Sequence, residues 1–399
     1  MTHSLRTLGI DLLSPQFIAD PYPFYDRLRA AQPILFDPEW KLWFFSAYED
    51  IAALLRDRRL GRDLTEAPKP DPQTPFGWLH ANSLMEKEPP DHTRLRGLVN
   101  KAFTPARVEA LRPLIEQSAH RLLDEVVRRG EMDLLADFAE PLPVLVIADL
   151  LGVPPEARSR LRPWSNRIVA MYELSPTVED ARHANRAVSE FATFLRGLAA
   201  ERKLQPQDDL ISALVEAEEQ GSRLSEDELI ATCILLLNAG HEATVNAIAN
   251  GMLALFRNPD AYQHLRRSPE WLKSAVEEML RYDTPLQLFR RWVCEEVAYK
   301  GFTLPRGTQV ALLYGAANRD AARFPDPHRF DITRSDNPHL TFGLGIHYCV
   351  GAPLARLEMQ VAVQVLLERL PDLRLVDDAM LEYRPTYVIR GLKALPVCF

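Results

Sequence analysis

Cys349 is the residue of this chain best set up for chemistry. It stands in "HLTFGLGIHYCVGAPLARLEMQVAVQVLLERL", His339 to Leu370, after Gly343 and Gly345 and before Gly351. Glycines on both flanks strip away side chains, so a large flat group could approach the backbone beside the sulfur. Nearby amide N–H groups and the start of an amphipathic helix from about Ala352 would stabilise a thiolate. Gly-x-Gly before a helix also suggests a dinucleotide loop, but Tyr348 stands where the third glycine of that fingerprint belongs. A single thiolate with no cysteine or histidine at ligand spacing is poor for zinc. Taken alone, Cys349 reads equally well as a buried cysteine in an ordinary turn.

A second stretch, "CILLLNAGHEATVNAIANG" from Cys233 to Gly251, puts a glycine, a histidine and a carboxylate at the midpoint of an apolar helix. Gly240 costs about 1 kcal/mol relative to alanine there. Three basic features complete the set. His92 and Arg96 are four apart, hence on one helical face. Glu278 and Arg281 are three apart, the spacing of an ordinary exposed ion pair. Arg291 lies ten residues before Gly301.

These residues need a scaffold that is mostly helical. Apolar residues repeat at three and four in segments beginning at Pro21, Arg107, Asp180 and Pro269. The helix carrying Gly240 has clear ends: Ser225 to Glu228 fits a capping box, and Asn258-Pro259 stops the pattern. That is roughly 32 residues, or about 48 Å. Short alternating runs near "KLWFFSAY", "RRWVCEEVAYKGFTLPRG" and "TQVALLYG" read as small sheets at the edge. With 399 residues, 47% hydrophobic, and no linker or low-complexity tract, residues 1–399 read as one large domain. A net charge of −8 argues against a nucleic-acid binder. No apolar run is long enough for a bilayer. Four cysteines without paired spacing fit a cytoplasmic protein with free thiols.

The segment "FGLGIHYCVG" resembles the haem-binding signature of the cytochromes P-450, with Phe342, Gly343, His347, Cys349 and Gly351 in the matching places. A lone thiolate suits a haem iron, whose other ligands come from the porphyrin. Three further segments agree in the same order, over nearly the whole chain from about Pro21. Glu278–Arg281 resembles the family's buried Glu-x-x-Arg pair, which joins "ANRDAARFPDPHRF" and braces the cysteine loop. "PPDHTRLRGLVNKAFTP" resembles the helix that supplies propionate contacts, here His92 and Arg96, with Arg291 and His347 completing the set. The central stretch resembles the distal helix, with Ala239 and Gly240 leaving room beside the iron and Glu242 as the proton-passing acid. His241 is expected to point away from the haem. The chain departs at Ala243, where the family usually carries a threonine; a hydroxyl follows one residue later at Thr244, turned by about 100° around the helix. Some macrolide-hydroxylating bacterial members are similar in this respect.

The resemblance implies a mainly α fold with small sheets, whose long distal helix and proximal cysteine loop sandwich haem b (iron protoporphyrin IX). It implies a haem-thiolate monooxygenase that hydroxylates or epoxidises a mostly apolar small molecule of the secondary-metabolite, macrolide, terpenoid or fatty-acid type. It would use O2 and electrons from a separate ferredoxin or flavodoxin with its NAD(P)H reductase. The cysteine-side face, with Arg94, Lys101 and Arg356, is the expected docking patch. Expected pocket-lining segments are 59–85, 171–177, 286–289 and 387–389. A peroxide-driven peroxygenase and a non-catalytic haem-binding or ligand-binding protein are the alternatives.

Overall fold

The structure, a computed structural model, describes residues 4–173, 175–217 and 221–399. Leu174, within the segment 171–177 expected to line the pocket, lies outside the described residues. The helix from Glu226 to Arg257 runs through the middle, with 32 residues as its caps imply. Ser225 and Glu228 form the capping box in full: Glu228 N donates to Ser225 Oγ at 3.2 Å and Ser225 N donates to Glu228 Oε2 at 2.9 Å. This central helix packs against Pro141–Leu150, Leu161–Val169, Leu272–Tyr282 and Ala352–Arg369. Gly251 permits one of those contacts, because a Cβ there would meet Met279 Sδ at 2.8 Å.

Two expectations about helices are corrected. The repeat from Arg107 is not one helix but two, Pro105–Ala110 and Arg112–Val126. Pro113 explains the break, since it has no N–H for the carbonyl of residue 109 and its ring would clash there. The helix after the cysteine loop, Ala352–Arg369, is not amphipathic. It buries Leu354, Leu357, Met359, Val361, Val363 and Leu366, which point to different sides. It is enclosed by the central helix and by Arg112–Val126, Pro105–Ala110 and Leu272–Tyr282.

The expected runs supply Leu42–Phe45, Phe289–Val293 and Gln309–Leu312 to a five-stranded sheet in the order Ile34–Asp37, Leu42–Phe45, Gln309–Leu312, Phe289–Val293, Leu60–Gly61, while Val297–Tyr299 and Phe302–Leu304 pair in a separate two-stranded sheet. Phe289–Val293 runs antiparallel to Gln309–Leu312 with Arg291 opposite Val310. Arg291 and Val293 are buried while Arg290 and Trp292 are half-buried, the alternation a strand imposes. The apolar interior falls into a helical cluster and a sheet cluster. The cysteine loop bridges them, with Phe342 and Val350 packed on the first and Leu344 on the second.

Candidate functional site

The cysteine loop is a sequence of tight turns. Gly343 and Gly345 have φ of 67° and 72°, the left-handed region that glycine tolerates without strain. A Cβ on Gly345 would also meet Leu55 O at 2.5 Å. Only Gly351 borders the sulfur, with its Cβ position 3.9 Å from Cys349 Sγ. The expectation that all three glycines clear the flanks of the sulfur is therefore corrected. Two of them shape the turns, and one leaves space.

Cys349 N donates to Phe342 O at 3.0 Å, which closes the loop. Burial raises the Cys349 thiol, opposed by the amides of Gly351 and Ala352 and by the charges of Arg96 and Arg356. Amide donors and cations around a sulfur favour the thiolate, the form that binds a metal. Arg96, half-buried on the helix Asp91–Ala102, donates to Tyr348 O at 2.7 Å beside that sulfur. Burial pulls its pKa down and the Cys349 charge pulls it up.

His92 on the same helix meets His347 with ring centroids 4.4 Å apart. Burial, with the His347 charge second, lowers His92 to about 4, so it is neutral near pH 7. His347 Nε2 lies 2.9 Å from Glu88 Oε1, an acceptor already engaged by Arg62 N. Arg291 is buried, yet among the described residues its guanidinium donates only to Arg290 O at 3.0 Å, and it covers the Phe289 ring at 5.2 Å. A buried guanidinium without a carboxylate is costly, and burial lowers its pKa accordingly. His92, Arg96, His347 and Cys349 are thus brought together.

The loop is anchored from behind. Glu278 and Arg281, both fully buried, pair bidentately at 2.7 and 2.8 Å. Arg281 also donates to Asn318 O, Pro327 O and Arg329 O, while Glu278 accepts from Asp331 N, Arg334 and Asn337. Asn318 passes the anchorage to the loop through Leu340 N at 2.7 Å and Thr341 Oγ1 at 3.1 Å. A second cluster was invisible in the sequence. Glu277 holds Arg356 at 2.7 and 2.8 Å and His339 at 3.1 Å. Burial alone would raise Glu277, but His339 and Arg356 bring it down to about 2.

The middle of the central helix differs from its ends. Among its buried residues the exceptions around the midpoint are Leu235, Ala239, Gly240, Glu242 and Ala243. Leu235, Ala239 and Ala243 lie four apart and form one face. Thr244 is buried at 4% exposure, off that face, as a shift of one residue requires. His241 is 2% exposed and turned away from it, as expected, with both ring nitrogens unpartnered. Burial holds it down to about 4. Glu242 Oε1 accepts from Arg384 Nη1 at 2.7 Å, and Arg384 Nη2 reaches Glu140 at 3.0 Å, which also pairs with Arg162. Burial raises Glu242, and Arg384 opposes the shift. Arg384 was missed because 142 residues separate it from Glu242 and no motif joins them.

The expected basic patch is altered. Arg94 is spent on Glu228 and Arg356 on Glu277. Around the loop, Ile346 and Tyr348 are exposed apolar side chains.

The family model described as Cytochrome P450 matches residues 158–268 and 269–372. The "Biotin biosynthesis cytochrome P450" of Bacillus subtilis (strain 168) is 41% identical, covering 98% of this chain and 100% of that protein. "Cytochrome P450 monooxygenase PikC" of Streptomyces venezuelae is 43% identical, covering 99% and 95%. The crystal structure of P450BioI in complex with hexadec-9Z-enoic acid ligated acyl carrier protein superposes with a TM-score of 0.92. It is 40% identical over 96% of this chain and 99% of that one. The chain belongs to the cytochrome P-450 family. It is an oxidoreductase of the monooxygenase class, built on the mainly α fold in which distal helix and cysteine loop sandwich haem b.

The residues present suit that cofactor. The unpaired, buried Arg291 needs an anion, which a propionate supplies. A planar group would need an uncrowded approach to the sulfur, which Gly351 leaves open.

Proposed function

We propose that Cys349 ligates the haem iron, that Arg291, Arg96, His92 and His347 hold the propionates, and that Glu242 passes protons to the site. Phe342, Gly343 and Gly351 shape the loop that would carry the porphyrin, and Ala239 is the distal-helix residue that would border it. The observation that carries the reading is the thiol of Cys349 held among the Gly351 and Ala352 amides and the Arg96 charge. When bound, haem supplies oxygen activation from O2, two electrons and two protons, with electron push from the thiolate.

The chain's own work is to position and to move protons. Burial raises Glu242 from the carboxylate range, which brings it closer to the operating pH of a proton donor. Arg384 Nη1 holds Glu242 Oε1 until the carboxyl takes a proton and turns toward the Ala239–Ala243 face. Ala243 offers no hydroxyl there, and Thr244 points into the packing, so the last proton contact is an ordered water or the substrate's own hydroxyl.

Electrons come from a ferredoxin or flavodoxin and its NAD(P)H reductase, docking on the face that exposes Ile346 and Tyr348. The substrate is a mostly apolar molecule of the polyketide or acyl type, supported by the acyl ligand of one relative and by PikC. Four free thiols suit the cytoplasm, and no helix among the described residues is long and apolar enough to cross a membrane. The test is turnover of an apolar panel under labelled dioxygen with ferredoxin, reductase and NADPH. We expect one labelled oxygen atom in the product, and none without the reductase. Equal turnover on peroxide alone overturns the redox-partner assignment.

A further inference from the structure

Three consecutive amides point at one carboxylate above the expected substrate pocket. Tyr387 N and Val388 N donate to Glu173 Oε2 at 3.1 and 3.2 Å, and Ile389 N donates to Oε1 at 3.4 Å. Glu173 lies in the connection between Leu161–Val169 and Val178–Leu204. The turn is fixed independently on its other side. Gln287 N donates to Val388 O at 2.9 Å, and Leu286 bridges Ile389. The amides therefore stay in place when the loop moves.

A cation stands nearby with nothing to hold. The half-buried Arg290 guanidinium makes no hydrogen bond or ion pair among the described residues. Its backbone carbonyl, by contrast, accepts from both Arg62 and Arg291. Burial and then the Arg62 charge lower the Arg290 pKa, the charges of Glu86 and then Glu173 oppose them, and the charge of Glu242 acts on Glu173. The bonds of residues 387–389 to Glu173 on one side and to Leu286 and Gln287 on the other set the Glu173 carboxylate beside the start of the strand Phe289–Val293. Without Glu173, the three amides would have no acceptor among the described residues, and Arg290 would keep only the charge of Glu86. Convergent amides beside a cation are an anion site.

We propose that the amides of residues 387–389 and Arg290 form an anion-binding subsite in the roof of the substrate pocket. Glu173 fills it in this structure, and the carboxylate end of the substrate takes it when Glu173 leaves. The substrate class is then an amphiphilic acid, with its apolar body directed toward the face of Ala239 and Ala243. The proposal rests on the monooxygenase reading for the position of the pocket.

The test titrates the haem-loaded protein with dodecanoate and with dodecan-1-ol, read by calorimetry. Glu173→Ala should tighten dodecanoate roughly tenfold, the effect of one added charge-assisted hydrogen bond, while dodecan-1-ol changes less than about twofold. Adding Arg290→Ala should remove that tightening. Glu173→Gln, a smaller perturbation of the loop, should give an intermediate preference for the acid. If acid and alcohol tighten together, Glu173 only fastens the loop and the subsite is refuted. If neither changes in either variant, it is refuted as well. A sample whose reduced carbon monoxide complex shows the thiolate band but no preference for the acid defeats this proposal alone. A sample without that band defeats the monooxygenase reading instead.

Discussion

The anchorage behind the cysteine loop and the midpoint of the central helix are both buried and both polar, yet they are built in opposite ways. Around Glu278 and Arg281 both charges are matched, with six backbone or side-chain partners beyond the pair itself, and among the described residues of this network the Asn337 Oδ1 alone lacks a partner. Along the central helix Thr232, Asn238, His241, Asn246 and Asn250 keep buried polar atoms without hydrogen-bond partners among the described residues. Complete networks make a region rigid, whereas unmatched groups are places where water, protons or ligands can be accommodated. The contrast teaches that the proximal side is made to hold a sulfur still. The distal side is left unfinished for chemistry.

Breaking the complete side should cost most. Arg281→Ala leaves the buried Glu278 with Arg334 at 3.3 Å as its remaining cation and strips Asn318 O, Pro327 O and Arg329 O of their donor, a loss of about 3–5 kcal/mol. We expect little soluble protein, or a haem-poor protein with a sharply lowered melting temperature. A variant with normal haem content and melting temperature would contradict the role of the anchorage. Arg96→Ala with Arg291→Ala should come next. Haem retention should fall several-fold in a competition with apomyoglobin while far-ultraviolet dichroism stays near wild type. Unchanged retention would return both arginines to a structural role.

Acid stability probes the unfinished side. His241 titrates at about 4 in the fold against 6.5 when free. Above the free value neither state is charged, so His241 adds no pH dependence. As the pH falls from 6.5 toward about 4 the unfolded chain takes the proton first, and stability drops. The loss is on the order of 3 kcal/mol in full. His241→Leu should therefore lose less stability between pH 7 and pH 4.5 in urea titrations, and an identical acid loss would refute the assignment. The smallest effects belong to the pair after Glu242. Ala243→Thr puts a hydroxyl on the cavity face and should improve coupling of NADPH to product for substrates lacking a nearby hydroxyl. Thr244→Val, off that face, should change coupling less than about twofold. A larger effect of Thr244→Val would mean that an ordered water runs through it.

What was legible in the sequence follows the same division. Caps, turns and motif spacing are local, so the ends of the central helix and the strand carrying Arg291 were readable from Ser225, Pro259 and the alternation around Trp292. The break at Pro113 was equally local and was overlooked. Pairings across the fold were not readable. Arg384 with Glu242, Glu88 with His347 and Glu173 with the turn at 387–389 join segments whose proximity only the tertiary structure creates. The patch of Arg94 and Arg356 failed for that reason, since each had a carboxylate partner brought from elsewhere.

The most direct measurement is the carbon monoxide difference spectrum of the dithionite-reduced protein, wild type against Cys349→Ala with Cys233, Cys294 and Cys398 intact. We expect the strongly red-shifted band of a thiolate opposite carbon monoxide in the wild type and its complete loss in Cys349→Ala. A red-shifted band that survives in Cys349→Ala would contradict the assignment of Cys349 as the iron ligand.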